Sequence, residues 1–220
     1  MMMREYDAFQ DYPKATRKAD RTIWNRMYAM YRDREFYDGD RQNGYGGMKD
    51  DGRWGSIAEN LIRVYGLTQD SMVLQIGCHK GFLLKELLQR GINVRGTEIS
   101  TYAIGESPWK LMPFIKYAPF TALPFSADEF DLVLCVSPIY TLNLRDGVEC
   151  IREIERVKKP KGNSFITLGA WETESDYWLI RRWMLLGTTL LQKSEWVAVL
   201  QHSGYTGDYR FDTAQYLGLE

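Results

Sequence analysis

The residues best suited to chemistry cluster in one short run, Gly77-Cys78-His79-Lys80-Gly81, with Glu98 following 21 residues after Gly77. Glycine tolerates positive φ and lets a ligand come close to the backbone. If a helix follows the run, its free N–H groups favour a negatively charged group. If Glu98 ends a second strand, its carboxylate can accept both hydroxyls of a ribose. Together these features read as a nucleoside-binding turn, whereas the glycine pair alone reads as an ordinary turn. His79 has two readings, contact with a bound ligand or a hydrogen bond that steadies the loop. Lys80 also has two, a salt bridge to a ligand carboxylate or a solvated side chain. A second set, Ser137, Pro138 and Tyr140, follows the apolar run that ends at Val136. A tyrosine with an ordinary pKa of about 10 is a poor base but a good hydrogen-bond partner.

The elements that must position these residues follow from periodicity. Trp54, Ile57, Ala58, Leu61 and Tyr65 recur at helical spacing, with Gly66 placed as a left-handed cap. Met72 to Ile76 reads as a buried strand that leads into the glycine run, and a helix from about Phe82 to Arg90 closes at Gly91. Asn93 to Thr97 predicts a second strand ending at Glu98, with Ser100 capping a short helix that Pro108 stops. Phe114 to Tyr117 and Phe130 to Val136 predict a third and a fourth strand, the fourth apolar enough for the centre of a parallel sheet. Leu144, Val148, Ile151, Ile154 and Val157 mark one helix face, and Lys159-Pro160-Lys161-Gly162 turns into a fifth strand over Ser164 to Leu168. A Trp-rich helical stretch around Tyr177 to Met184, a helix over Trp196 to Gln201 and a strand over Tyr205 to Phe211 complete the chain. The pattern predicts an α/β fold: a Rossmann-like, doubly wound, mostly parallel sheet of about six or seven strands with helices on both faces. Residues 1–53 form an expected helical and aromatic cap or lid. Residues 54–220 form the main domain, with 171–193 a helical insertion at a substrate or dimer face.

At this point the residues resemble the class I S-adenosylmethionine-dependent methyltransferases, particularly the type 11 small-molecule group. Val73 to Gly81 is similar to the glycine-rich first motif, and Gly96-Thr97-Glu98-Ile99-Ser100 to the ribose-binding end of strand two. Ala122-Leu123-Pro124-Phe125 to Val133 resembles the motif that leads into strand four, and Arg152 to Gly162 the helix and turn before strand five. The resemblance implies S-adenosylmethionine as cofactor and S-adenosylhomocysteine as product, with no metal. It implies cofactor contacts from Gln75, Gly77, Cys78, His79, Lys80, Gly81, Glu98, Ile99, Phe120 and Val136. Tyr140, Ser137 and His79 stand as catalytic candidates, and Tyr37, Tyr45 and Tyr140 as substrate contacts. Three residues depart from the pattern: Gln75 replaces the usual acid, His79 the middle glycine, and Pro119 the polar residue near the adenine amino group. Phe36-Tyr37-Asp38-Gly39, Gly44-Tyr45-Gly46-Gly47, Arg53-Trp54, Glu195-Trp196 and Gly204 to Tyr209 are similar to a subgroup of bacterial methyltransferases, which implies no substrate.

Composition bounds the rest. The 28 basic and 29 acidic residues give a net charge of -1 with the signs intermingled, so no nucleic-acid partner is expected. The start, MMMREYDAFQDYPK, carries charges at once and lacks the apolar run of a signal peptide, which reads as cytoplasmic with no membrane contact. Three cysteines are too few for a disulfide scaffold, and no Cys/His spacing suggests zinc. Cys78 and Cys135 read as buried and unreactive. His202 reads as structural, the Arg156 to Lys161 run as a solvated helix end, and Arg181-Arg182 as surface or interface charges, with contact to a substrate phosphate as the alternative. The expected activity is methyl transfer to an O or N atom of a small or medium polar acceptor, such as a sugar derivative, a specialised metabolite or a short peptide, by a possible homodimer. Its competitor is a degenerate member that serves as a partner or scaffold. A nicotinamide dehydrogenase fits poorly, because Gly77-x3-Gly81 lacks Gly-x-Gly-x-x-Gly spacing.

Overall fold

The computed structural model describes residues 3–10 and 20–220. The expectations for residues 1–2 and 11–19, part of the cap, therefore fall outside the described residues. In chain order the elements are β1 (Arg4–Glu5), α1 (Ile23–Met30), α2 (Arg34–Asp38), α3 (Arg53–Tyr65), β2 (Met72–Ile76), α4 (Phe82–Gln89), β3 (Asn93–Glu98), α5 (Thr101–Gly105) and β4 (Ile115–Tyr117). They continue with β5 (Phe130–Cys135), α6 (Leu144–Val157), β6 (Lys158–Trp171), α7 (Glu174–Trp183), β7 (Leu191–Gln192), α8 (Lys193–His202), β8 (Asp208–Asp212) and α9 (Ala214–Leu217).

The strands lie in the order β1-β8-β6-β5-β2-β3-β4, with β7 paired to β6, and every pairing is parallel. Alternation along each strand sends side chains to two separate core layers. On one face Leu74, Ile76, Val133, Cys135, Ile166 and Leu168 pack with Ile151 and Ile154 of α6 and Trp196 and Leu200 of α8. On the other, Val73, Leu132, Leu134 and Phe165 pack with Ile57 and Leu61 of α3 and Leu83, Leu84 and Leu87 of α4. This two-sided burial explains the nearly unbroken apolar runs of β2 and β5. Helix ends follow local chemistry: Gly66 caps α3 at φ +60° by donating to the Ile62 carbonyl, and the Asn143 side chain accepts from the Asp146 N–H at 3.0 Å.

Three expectations are corrected. β6 spans Lys158–Trp171 rather than 164–168, because Pro160 and Gly162 sit in an irregularity where the pairing jumps from Phe130↔Lys158 to Leu132↔Asn163. A bulge is where a strand tolerates proline. The last strand begins at Asp208 rather than Tyr205, whose buried hydroxyl instead donates to the Asp208 carbonyl at 2.7 Å. Arg156 is more than a solvated helix end. It binds the carbonyls of Leu123 and Phe125 and the carboxylate of Glu153, tying α6 to the loop before β5. The two-residue strands β1 and β7 escape sequence reading because two residues carry no period.

Among the described residues no helix is long and apolar enough to cross a membrane, and no cluster of His, Cys, Asp and Glu could hold a metal ion. Cys78, Cys135 and Cys150 are all buried and free.

Candidate active site at the carboxyl end of the sheet

The sheet order reverses at β2, which lies between β3 and β5, so the turn after β2 opens at the switch point where such sheets bind ligands. Gly77 (φ +67°) and Cys78 both donate to the Thr97 carbonyl, at 2.8 and 3.0 Å, locking the turn to β3. A Cβ on Gly77 would lie 2.6 Å from Pro138 Cγ, so this glycine lets the turn and the loop after β5 approach each other. Phe120 also touches that space. The His79 N–H donates to Glu98 Oε2 at 2.8 Å, and the N–H groups of Ile99 and Ser100 donate to Oε1 at 2.8 and 2.9 Å. Three of the carboxylate's roughly four acceptor positions are thus used, leaving one on Oε2. Glu98 is only 1% exposed.

The cap closes over this turn. His79, itself at φ +53°, sits between two tyrosines, with Tyr37 Oη 3.2 Å from Nδ1 and Tyr45 Oη 3.1 Å from Nε2. Burial pushes the imidazole pKa below its usual value and outweighs the pull of Glu98, so the ring is neutral. A neutral ring offers one donor and one acceptor to the two hydroxyls. Lys80 is buried and donates to both oxygens of Asp38 at 2.7 and 2.6 Å, and to the Met48 carbonyl at 3.3 Å. Tyr102 adds a hydrogen bond to Asp38 at 2.6 Å, which helps push its own pKa up to about 12. Burial raises the Asp38 pKa, but the bonds from Lys80 and Tyr102 outweigh it and hold the carboxyl below its usual range. Lys80 is therefore neither solvated nor free for a ligand in this arrangement. Its charge belongs to the cap.

Across the cleft, Ser137 takes φ +81° and donates its N–H to Thr167 Oγ1 of β6 at 2.9 Å. Tyr140 follows in a single turn of 3-10 helix, Ile139–Thr141, largely buried against Gly169. Burial pushes its pKa up to about 12, so the phenol stays protonated. Val136, partly buried, packs on the α3 and α4 side. Burial likewise raises the Cys78 thiol, which leaves it unreactive.

Sequence reasoning missed Asp38, Tyr102 and Arg32. Arg32, at φ +48°, reaches from the cap to Thr141 Oγ1 with Nη2 at 3.1 Å, while its carbonyl accepts from the Ser100 hydroxyl at 2.5 Å. Four non-glycine residues among those described have positive φ: Arg32, His79, Asp128 and Ser137. Three of these four border this one cleft, and such conformations persist only where their surroundings impose them. No periodicity reports a single left-handed residue before a helix, so Arg32 had no signal of its own.

The donor set fits a nucleoside cofactor. Glu98 retains an acceptor position, Gly77 and Gly81 present backbone with no side chain in the way, and Gln75 Oε1 is buried with no hydrogen-bond partner. Space is the obstacle. The cavity bounded by Gln75, Cys78, His79, Lys80, Gly81, Met48 and Trp54 is about 20 Å³, room for a single water. A larger hollow of about 490 Å³ opens between Arg95, Lys116 and the loop 123–129 but touches none of these residues.

Residues 74–166 match the methyltransferase domain family of type 11, a span that begins in β2 and ends in β6 and contains the whole turn, Glu98 and Tyr140. The match covers less than half of the chain and makes this segment similar to a methyltransferase domain. An uncharacterized protein of Haemophilus influenzae is 25% identical to this chain over 157 residues, 66% of this chain and 62% of that protein. The chain thus spans about three fifths of the length of that curated relative. Two solved structures share the fold. A candidate methyltransferase of Bacillus halodurans superposes with a TM-score of 0.55 at 16% identity, covering 68% of each chain. The YcgJ protein of Bacillus subtilis gives 0.56 at 18% identity, covering 66% of each.

Proposed function

We propose that the protein transfers a methyl group from S-adenosylmethionine, by in-line displacement, to an O or N atom of a small or medium polar acceptor. A sugar derivative, a specialised metabolite and a short peptide all fit that description. The observation that carries this reading is Glu98: a buried carboxylate at the end of β3, holding the glycine turn by its backbone N–H, with one acceptor position to spare. When bound, the cofactor supplies a methyl group on a sulfonium whose positive charge disappears on transfer. The protein's task is then chiefly alignment. Glu98 would hold the ribose hydroxyl, Gln75 Oε1 would offer an acceptor, and the side-chain-free backbone of Gly77 would line the turn. Tyr140, protonated at neutral pH, orients the acceptor, and neutral His79 takes up a proton where the acceptor must lose one. Residues 34–50 act as a lid that parts from the turn to admit the cofactor and then excludes water.

The test is calorimetric titration with S-adenosylmethionine and S-adenosylhomocysteine, with NAD as control. Micromolar binding of both sulfur compounds and none of NAD is the expected result. One observation favours a second reading, a non-catalytic partner protein: the cap already occupies His79 and Lys80 and leaves about 20 Å³ between itself and the turn. Folded protein that binds neither sulfur compound would decide for that alternative.

A further inference from the structure

Arg32 stands apart from the other cations around the cleft. Lys80 is paired with Asp38, and Arg210 with Asp7 and Asp212. No carboxylate among the described residues pairs with Arg32, whose guanidinium uses one of its five N–H donors, on Thr141. Its backbone is fixed at both ends of the cleft's geometry. The carbonyl accepts from Ser100, whose own N–H is held by Glu98, and the side chain ends on the loop that carries Ser137 and Tyr140. A left-handed backbone at a non-glycine residue adds strain that these contacts sustain. The Arg32 charge is felt at Tyr37, His79 and Tyr140, aromatic side chains that border the cleft.

We propose that Arg32 is a carboxylate-recognising residue at the transfer end of the cleft, its unused N–H fork waiting for a planar monoanion. A monoanion is favoured over a phosphate dianion, because Arg32 offers one positive charge, neutral His79 adds none, and the nearby Glu98 carboxylate, held by N–H groups, opposes further negative charge. A planar carboxylate also matches the guanidinium edge with two parallel hydrogen bonds. This assignment rests on the methyltransferase reading for its two sources of carboxylate, the amino-acid end of the cofactor and an acidic acceptor.

The experiment compares the wild-type protein with Arg32→Gln and Arg32→Lys in three arms. Calorimetry measures S-adenosylhomocysteine, and 5′-methylthioadenosine, which lacks the amino-acid end. Ligand-observed NMR measures benzoate against benzamide at millimolar concentration, with and without S-adenosylhomocysteine. If the cofactor is the source, Arg32→Gln loses 10- to 100-fold in affinity for S-adenosylhomocysteine and keeps its affinity for 5′-methylthioadenosine, with Arg32→Lys between. If an acceptor is the source, both nucleosides bind unchanged and Arg32-dependent benzoate binding disappears in the variant. Nucleoside and benzoate signals that are all indifferent to Arg32→Gln overturn the proposal while leaving the methyltransferase reading intact. Benzoate bound through Arg32 by a protein that takes neither nucleoside overturns the methyltransferase reading instead. Melting curves confirm folding, which the single Thr141 contact is too small to endanger.

Discussion

At the scale of single residues, Glu98 does two jobs that a sequence reading merges into one. The position 21 residues beyond Gly77 announced a ribose partner, but the three N–H groups it accepts make it equally the staple of the turn. Hydrogen bonds to a charged group contribute about 1.5–3 kcal/mol each, so Glu98→Ala would confound binding with folding. Glu98→Gln keeps one oxygen acceptor and is the cleaner probe. We expect it to fold, to lose stability by about 2 kcal/mol in urea melts, and to bind S-adenosylhomocysteine at least tenfold more weakly by calorimetry. Unchanged affinity would remove Glu98 from the ribose site. His79 gives a pH signature. Burial lowers its folded pKa below the unfolded value near 6.5, so its neutral form is favoured in the folded state. That contribution is complete above pH 6.5 and is lost as the pH falls through the lower folded pKa. The wild type should therefore lose stability as the pH falls below about 6.5, a loss that His79→Asn escapes, asparagine being tolerant of positive φ. Parallel urea-melt profiles for the two proteins would rule this out.

At the scale of elements, the strands and helices that carry the turn were legible because each has a period long enough to read. β2, α4, β3, β5 and α6 fall within a residue or two of expectation. The cap was legible only as composition. Its aromatic residues are plain in the sequence, but the grip of Asp38 on Lys80, 42 positions away, has no local signature. That pair makes the cap testable. Asp38→Asn strands a buried ammonium; fully buried pairs cost about 3–5 kcal/mol to break, and the partial exposure of Asp38 lowers this to roughly 2–3 kcal/mol. Hydrogen exchange should quicken in residues 34–50 and stay slow in β2 and β5, and S-adenosylhomocysteine should associate faster. Uniform loss of protection across the domain would make the cap an inseparable part of the core rather than a lid.

At the scale of the whole molecule, the fold class was readable from strand and helix alternation, while the number of strands and the sheet's outer edge were not. The edge is built by β1, where Arg4 pairs with Asp208 and Phe9 stacks on Phe165 at 5.5 Å. Phe9→Ala should cost about 3–5 kcal/mol in urea melts, and a loss below 1 kcal/mol would show that this segment is dispensable. Arg210 links the same segment to the cleft, binding Asp7 at 2.7 Å and Asp212 at 2.8 Å. The placement of β1 also carries a consequence in time. The Arg4 and Asp208 contact joins residues 204 positions apart, so on a ribosome adding roughly 5–20 residues per second β1 waits on the order of 10–40 s for its partner. Throughout that interval Phe9 has no finished sheet edge to join, and a chain halted before Asp208 could never acquire one.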